Sequence, residues 1–381
     1  MLKVLAIGNS FSIDGMEYLY QIAQDMGVEK IMLGNLYIGG CTLATHHANF
    51  LSDKAAYTYY VNTDGDWVSY ANHSLNKAVA SEDWDVITFQ QASGYSGVAD
   101  SYGVLPELLA GVKALCPNAK IGWHMTWAYQ ADSNHADFAK YNTDQMTMYN
   151  AIVAAVQSEI LTNTDIDFVI PAGTAIQNAR TSYLGDRLTR DGYHLSYDVG
   201  RYIAGITWAQ TLTGLTPENL RYCPDGISPE VKEICLESAK NAMATPYAVT
   251  DSVYTLDNCF IQLDLNLTSG WYDSTNTTGD PQKVFTSTSS LPFYKTKIFS
   301  KAQLPVGTII VNEAGYNYRP EGWVNGAGTV RPAAISNKLV VIDEAWWGDW
   351  TERAFNVKVA SLDVTAEEAE AGFKIYVPKS A

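Results

Sequence analysis

Residues 3–26 read KVLAIGNSFSIDGMEYLYQIAQDM. Residues 3–7 form a short, mainly apolar run that ends at Gly8-Asn9-Ser10, and residues 18–26 then carry apolar side chains at helical spacing. This order predicts a buried strand, a tight turn and a helix. Ser10 follows the strand directly, so we expect its hydroxyl at a helix start, where backbone N–H groups favour a developing negative charge. On position alone, an N-cap is the simpler role for this serine.

The alternation of strand and helix continues to about residue 215. Strand-like runs are predicted at 31–37, 85–89, 120–124 and 166–170, and helices at 102–115, 137–160 and 197–212. Strands that alternate with helices of this length predict a parallel sheet covered by helices on both faces. We therefore expect a doubly wound α/β domain over residues 1–246.

The character of the sequence changes after Pro246. Helical periodicity ends there, and short β-rich runs alternate with Gly, Pro, Asn and Ser turns; the runs are 259–267, 308–312, 339–342, 355–359 and 373–377. This pattern predicts a second domain, all-β and sandwich-like, over residues 252–381.

The composition excludes several classes of protein. Of the 381 residues, 47% are hydrophobic and 17% are charged, which is typical of a globular chain and not of a disordered one. A net charge of −16 repels nucleic acid and anionic lipid, so neither is an expected partner. No apolar run is long enough for a membrane span. The five cysteines contain no C-x-x-C, which favours free thiols over a disulfide framework or a zinc ribbon.

The sequence leaves the compartment and the oligomeric state open. Residue 1 leads directly into the first predicted strand, without the basic segment and long apolar stretch of a signal peptide. Either the protein is not exported, or it is exported and its signal has been removed. We favour export with the signal removed.

Further segments with reactive side chains follow predicted strands or precede a helix. In Asp191-Gly-Tyr-His194 a carboxylate lies three residues before an imidazole, whose tautomer it can fix and whose charged form it can stabilise. A solvated loop pair is the simpler explanation for an isolated D-x-x-H. Gly40 permits close approach of the backbone after the second strand, and Gln90 and Gln91 carry amides that can donate to an oxyanion after the third.

Together, and in this order, these blocks resemble the SGNH hydrolase superfamily, also called the GDSL-type esterases. The resemblance covers about residues 3–215 and implies a three-layer, flavodoxin-like fold. It also implies that Ser10 is the nucleophile, that His194 is the base and that Asp191 is its acidic partner. The backbone N–H groups of Ser10 and Gly40 would then contribute to the oxyanion hole.

Two blocks depart from the family pattern. Asn9 stands where most members have aspartate, a mild change if that side chain braces the turn, and G-N-S-F-S openings look like an uncharacterised branch of the superfamily. Where most members have G-x-N-D, this chain has Gln90-Gln91-Ala92-Ser93. That block is similar to the Q-G-E-S block of the sialate and xylan acetylesterases, where a glutamine is the oxyanion donor. The similarity selects Gln90 over Gln91 as the third donor.

The resemblance implies a serine esterase that acts on a small-molecule or glycan ester without a metal or cofactor. Its third block favours the removal of O-acetyl groups from carbohydrate. Trp123, Trp127 and Tyr129 follow the fourth strand and are expected at the rim of the site, where they would suit a sugar ring, although packing in the core is equally compatible with their positions. A lipase, a thioesterase, and a carbohydrate-binding protein with little activity are the alternatives.

Overall fold

The computed structural model describes residues 1–272, 284–285, 292–324, 327–328 and 333–379. The chain divides into two compact units, Met1–Tyr254 and Thr255–Ala381. The segment between the two predicted domains belongs to the first unit, where the Thr250 N–H donates to Asn178 Oδ1. No helix in the described ranges is both long enough and apolar enough to cross a membrane.

The first unit is built on a seven-stranded sheet. The strands are β1 (Leu2–Gly8), β2 (Ile31–Tyr37), β3 (Tyr57–Asn62), β4 (Trp67–His73), β5 (Val86–Phe89), β6 (Lys120–His124) and β7 (Phe168–Ile170). Their order in the sheet is β4-β3-β2-β1-β5-β6-β7. Strands β2, β1, β5, β6 and β7 are parallel, as predicted. Strands β3 and β4 instead form an antiparallel hairpin beside β2, so the sheet is mixed and not purely parallel. The sequence did not reveal β4 because this edge strand exposes most of its side chains and lacks an apolar run.

Helices cover both faces of this sheet. Their bounds are α1 (Ser10–Met16), α2 (Leu19–Asp25), α3 (Leu43–Leu51), α4 (Leu75–Val79), α5 (Leu105–Leu115), α6 (Gln145–Ala155), α7 (Ala172–Arg180), α8 (Val199–Thr213) and α9 (Pro229–Ala244). Consecutive residues of β1 from Val4 to Gly8 are buried, which requires cover on both sides because successive side chains point to opposite faces. Helices α1, α2, α7, α8 and α9 contact one another in one group, and α3, α4 and α5 form another.

One long predicted helix is interrupted. The segment 137–160 begins as a short 3₁₀ helix, Ala136–Tyr141, and α6 starts only at Gln145. Asn142 and Thr143 separate the two, because both have positive φ angles, of 56° and 51°, that a right-handed helix cannot contain.

The second unit is antiparallel and rich in β structure, which confirms that part of the prediction. The described part also contains three short helices, so the unit is not strictly all-β. The bounds are α10 (Leu256–Cys259), β8 (Phe260–Gln262), β9 (Thr268–Ser269), β10 (Trp271–Tyr272), β11 (Val284–Phe285), β12 (Phe293–Lys295), β13 (Phe299–Ser300), β14 (Ile309–Val311), β15 (Asn317–Val324), β16 (Ala327–Gly328), β17 (Leu339–Val341), α11 (Glu344–Trp347), β18 (Glu352–Lys358), α12 (Ala366–Gly372) and β19 (Lys374–Pro378). One sheet has the order β16-β15-β18-β12-β9 with β13 beside β18, another has the order β17-β14-β19-β8, and β10 pairs with β11.

Candidate active site

Ser10 lies at the carboxyl end of the central strand β1, where α1 begins. Asn9 caps the helix, since its Oδ1 accepts the Phe11 N–H at 3.0 Å. Ser10 occupies the first helical position, so its own N–H has no partner within the helix. The strand-to-helix turn therefore presents both the hydroxyl and a free backbone donor of the same residue.

The structure brings Ser10, His194 and Asp191 into one hydrogen-bonded row. His194 Nε2 lies 2.8 Å from Ser10 Oγ, and His194 Nδ1 lies 2.6 Å from Asp191 Oδ2. Asp191 Oδ1 also accepts the His194 N–H at 2.8 Å, so both carboxylate oxygens bond to His194. Because a carboxylate can only accept, the ring proton of neutral His194 belongs on Nδ1, and Nε2 is left to accept the Ser10 hydroxyl proton.

The surroundings of Asp191 keep it ionised. Burial raises the pKa of this carboxyl group, but the hydrogen bonds from the His194 ring and from the backbone N–H groups of His194 and Tyr193 outweigh burial and lower the pKa below its ordinary value. At neutral pH Asp191 is therefore an anion that can stabilise a positive charge on the His194 ring.

Two backbone N–H groups belong to residues that line the same cavity. Gly40 has a φ of +62°, the left-handed conformation that favours glycine, and it lines the same cavity as Ser10. Within the described ranges, the N–H groups of Ser10 and Gly40 donate to no acceptor. Asn9 connects the two turns, because its Nδ2 donates to Cys41 O at 3.2 Å. One buried amide thus joins the turns that carry the two free N–H groups.

The geometry does not support Gln90 as a direct oxyanion donor. Its side chain is buried and does not line the cavity; Nε2 donates to Asn9 Oδ1 at 2.8 Å, and Oε1 contacts His124 Nδ1 at 3.0 Å. Gln91 is committed elsewhere, since its Nε2 donates to Ser101 O and Oγ and its Oε1 accepts two backbone N–H groups. Gln90 therefore braces the cap residue Asn9.

A buried carboxylate that the sequence analysis missed ties α1 to the loop that carries Asp191 and His194. Asp14 lies one helical turn after Ser10 and is fully buried. It accepts the Leu195 N–H at 2.9 Å, Arg201 Nε at 2.8 Å and Arg190 Nη1 at 3.0 Å. Because Arg190 and Leu195 flank the loop, Asp14 positions both of its ends.

Ser10 and His194 open onto a cavity of about 610 Å³. The cavity has a strongly aromatic lining, to which β2, β3, β4 and two loops contribute Tyr37, Tyr60, Trp67, His135 and Tyr193. None of these side chains was predicted from the sequence, although Tyr193 stands between the two residues of the D-x-x-H block. Among the described residues, no group of three or more His, Cys, Asp or Glu side chains is arranged to hold a metal ion.

The aromatic residues predicted for the rim lie in the core. Trp123, Trp127 and Tyr129 are at most 2% exposed and do not line the cavity. Trp127 stacks on Phe11 with ring centroids 4.3 Å apart, and its Nε1 donates to Tyr193 O. The segment after β6 turns inward because these large apolar faces gain more from burial than from solvent exposure. It therefore packs against residues that line the cavity, such as Phe11, and does not line the cavity itself.

Several solved structures are similar to the chain. A putative SGNH hydrolase from Slackia heliotrinireducens has 20% identity and a TM-score of 0.35, with 55% of this chain and 98% of that chain covered. A carbohydrate esterase family 3 structure from Talaromyces cellulolyticus has 13% identity and a TM-score of 0.36, with 56% and 96% covered. These matches include the superfamily that the sequence resembles, but TM-scores this low carry no inference about function. A search of the curated proteins returns no match.

A more similar structure covers about two thirds of the chain. The crystal structure of a DUF4886 family protein from Bacteroides uniformis has 42% identity and a TM-score of 0.64, with 66% of this chain and 97% of that chain covered. The model of the same family, described as a domain of unknown function, matches residues 3–243. The chain therefore belongs to the DUF4886 family.

Proposed function

We propose that the protein is a serine esterase that hydrolyses a short-chain acyl ester. The observation that carries the proposal is the continuous row of hydrogen bonds from Ser10 Oγ through His194 to Asp191, at 2.8 and 2.6 Å. This row opens onto a cavity beside two backbone N–H groups that are free within the described part of the chain. A nucleophile, a base with a fixed tautomer and an oxyanion hole are the parts that acyl transfer requires.

Acylation begins when His194 Nε2 accepts the proton of Ser10 and Oγ attacks the carbonyl carbon of the ester. The carbonyl oxygen then becomes an oxyanion, which the N–H groups of Ser10 and Gly40 stabilise. Asp191 stabilises the imidazolium without taking its proton. When the tetrahedral intermediate collapses, the C–O bond to the alcohol breaks and His194 protonates the leaving oxygen. An acyl group remains on Ser10.

Deacylation repeats these steps with water as the nucleophile. His194 removes a proton from water, the hydroxide attacks the acyl carbon, and the same two N–H groups stabilise the second oxyanion. Collapse returns the proton to Ser10 Oγ and releases the acid. The ester and one water are converted to an acid and an alcohol, with no oxidant or reductant.

A short acyl group, such as an O-acetyl group on carbohydrate, fits the cavity better than a long one does. A fatty acyl chain needs a channel lined by aliphatic side chains, whereas Ile13 is the single aliphatic residue among the described residues that line this cavity. The other lining side chains are aromatic, polar or charged. This composition disfavours a lipase that acts on long chains.

The test uses p-nitrophenyl acetate together with a fluorophosphonate probe that labels activated serines. We expect Ser10→Ala to lose labelling and to lose turnover by several orders of magnitude. Ser93→Ala is the matched control, because Ser93 also lines the cavity but its hydroxyl hydrogen-bonds to the Tyr129 hydroxyl, and we expect it to keep turnover and labelling. A Ser10→Ala enzyme that keeps more than about a tenth of wild-type turnover, a loss of under ~1.4 kcal/mol, would refute the proposal.

A further inference from the structure

Three aromatic residues form one wall of the cavity, and the register of the strands places them on the same face of the sheet. Tyr60 on β3 lies opposite Asn35 of β2, and Trp67 on β4 lies opposite Asn62 of β3. Alternate residues of a strand share a face of the sheet, and so do residues that lie opposite each other on neighbouring strands. One face therefore carries a diagonal row of aromatic side chains, Tyr37 on β2, Tyr60 on β3 and Trp67 on β4. We call these three residues the aromatic wall.

The aromatic wall is accessible from the cavity. All three side chains are half-buried and line the same space as Ser10. The rings of Tyr37 and Tyr60 lie 6.0 Å apart and nearly perpendicular, so they present differently oriented surfaces to a ligand. Each ring of the wall combines an apolar face with a hydroxyl or indole N–H, a combination that can contact C–H groups and bind hydroxyl groups of the same molecule.

A further hydrogen-bond donor lines the cavity at His135. Its Nδ1 accepts the Asp137 N–H at 3.2 Å, so the proton of the neutral ring belongs on Nε2. His135 Nε2 has no acceptor within the described ranges, and the residue lines the cavity with Tyr193. A ligand in this cavity would therefore meet the ring faces of the aromatic wall and the His135 donor.

The charged side chains of the cavity are already paired within the protein. Glu17 lies 3.2 Å from Arg201 Nη1, and Arg190 lies 3.0 Å from Asp14. Among the described residues that line the cavity, no arginine or lysine is therefore left unpaired for the phosphate or carboxylate of an anionic substrate. The net charge of −16 also disfavours an anion. The ligand is expected to be uncharged.

We infer that the aromatic wall binds the ring of an uncharged, acetylated sugar, with the ester carbonyl directed towards Ser10. An uncharged sugar combines apolar C–H faces with many hydroxyl groups, and both features match the wall and the His135 donor. The inference rests on the proposed esterase function and adds to it the subsite that selects the alcohol. Two of the three wall residues, Tyr60 and Trp67, then come from the antiparallel hairpin β3–β4.

The test compares three acetate esters by the rate of acid release: a monoacetylated methyl glucoside, cyclohexyl acetate and ethyl acetate. Cyclohexyl acetate has a six-membered ring without hydroxyl groups, and ethyl acetate has no ring. For Trp67→Ala, we expect the ratio of kcat/KM for the glucoside ester to kcat/KM for ethyl acetate to fall at least tenfold, a change of about 1.4 kcal/mol.

Tyr70→Ala is the matched control on the same hairpin. Tyr70 is 51% exposed and lies opposite Tyr59, on the face of the sheet away from the aromatic wall. We expect this variant to keep the wild-type ratio, and thermal melting shows whether both variants remain folded. Trp67→Phe, which retains a ring, should recover part of the ratio lost in Trp67→Ala.

The outcomes separate this inference from the function on which it rests. If the wild type hydrolyses none of the esters and the fluorophosphonate does not label Ser10, the esterase proposal is wrong, and the inference with it. If the wild type hydrolyses ethyl acetate but Trp67→Ala keeps the wild-type ratio, only the sugar subsite is wrong. If cyclohexyl acetate is hydrolysed as well as the glucoside ester and is equally sensitive to Trp67→Ala, the wall recognises apolar rings and not sugars.

Discussion

The buried carboxylate of Asp14 gives a quantitative prediction that links stability to activity. Asp14→Asn preserves the size of the side chain but replaces one acceptor oxygen with an amide nitrogen, which cannot accept from Leu195 or from the two guanidinium groups. Removing one partner of a buried ion pair costs roughly 3–5 kcal/mol, because the other charge remains buried.

Two features place the expected loss at the lower end of that range. The Arg190 side chain is 23% exposed, so water can solvate part of its charge. Arg201 is only 12% exposed but keeps its second partner, Glu17. We therefore expect Asp14→Asn to lower the free energy of unfolding by about 3 kcal/mol, measured from chemical denaturation midpoints.

The same substitution should lower turnover of p-nitrophenyl acetate at least tenfold at a temperature where the variant is folded. The loop that carries Asp191 and His194 loses its anchor to α1, and displacement of a catalytic group by about 1 Å can reduce a rate about a hundredfold. The side chains of Ser10, His194 and Asp191 themselves are unchanged in this variant. Rescue by Asp14→Glu is not expected, because the longer side chain has no space in a fully buried position.

Asp165→Asn is the control for this prediction. Asp165 pairs with Lys113 at 2.8 Å, but the two side chains are 47% and 34% exposed, so the loss should be within about 1 kcal/mol. An Asp14→Asn variant with a wild-type unfolding midpoint would refute the energetic reasoning. A destabilised variant with full turnover would refute the positioning role while leaving the energetic reasoning intact.

Three other predictions concern the base, the brace and acid stability. Asp191→Asn should leave a weaker enzyme in the p-nitrophenyl acetate assay, while His194→Ala should resemble Ser10→Ala because it removes the general base; a His194→Ala enzyme with near wild-type turnover would contradict the role of His194. Gln90→Ala should lower turnover more than Gln91→Ala does, because Gln90 holds the Asn9 cap; the opposite ranking in the same assay would contradict this. Burial lowers the pKa of His46 to about 3. Below about pH 6.5 the unfolded chain therefore binds a proton at His46 that the folded chain does not bind, and the free energy of unfolding decreases as the pH is lowered. Denaturation midpoints of His46→Gln should show a shallower loss, by up to roughly 1.4 kcal/mol per pH unit, between pH 6 and 4.

Local sequence determined the parts of the site that depend on neighbouring residues. The apolar run of β1, the turn at Gly8-Asn9 and the start of α1 place Ser10 through interactions within a few residues, so the pattern alone predicts its position. The pairing of Asp191 with His194 is also local, since the two residues are three apart and their side chains bond at 2.6 Å. The parallel order of the strands followed from their alternation with helices.

Tertiary structure decided every feature that depends on contacts between distant segments. Ser10 and His194 are 184 residues apart, and their contact depends on α1 packing beside the loop that Asp14 anchors. The aromatic side chains after β6 and those of the hairpin look alike in sequence, yet Trp127 is buried and Trp67 lines the cavity. The exposure of an aromatic ring depends on which residues pack against it, and the hydrogen-bond partner of the Gln90 amide depends on which acceptor lies nearest to it. Both are properties of the assembled fold, because residues remote in the chain supply the neighbours.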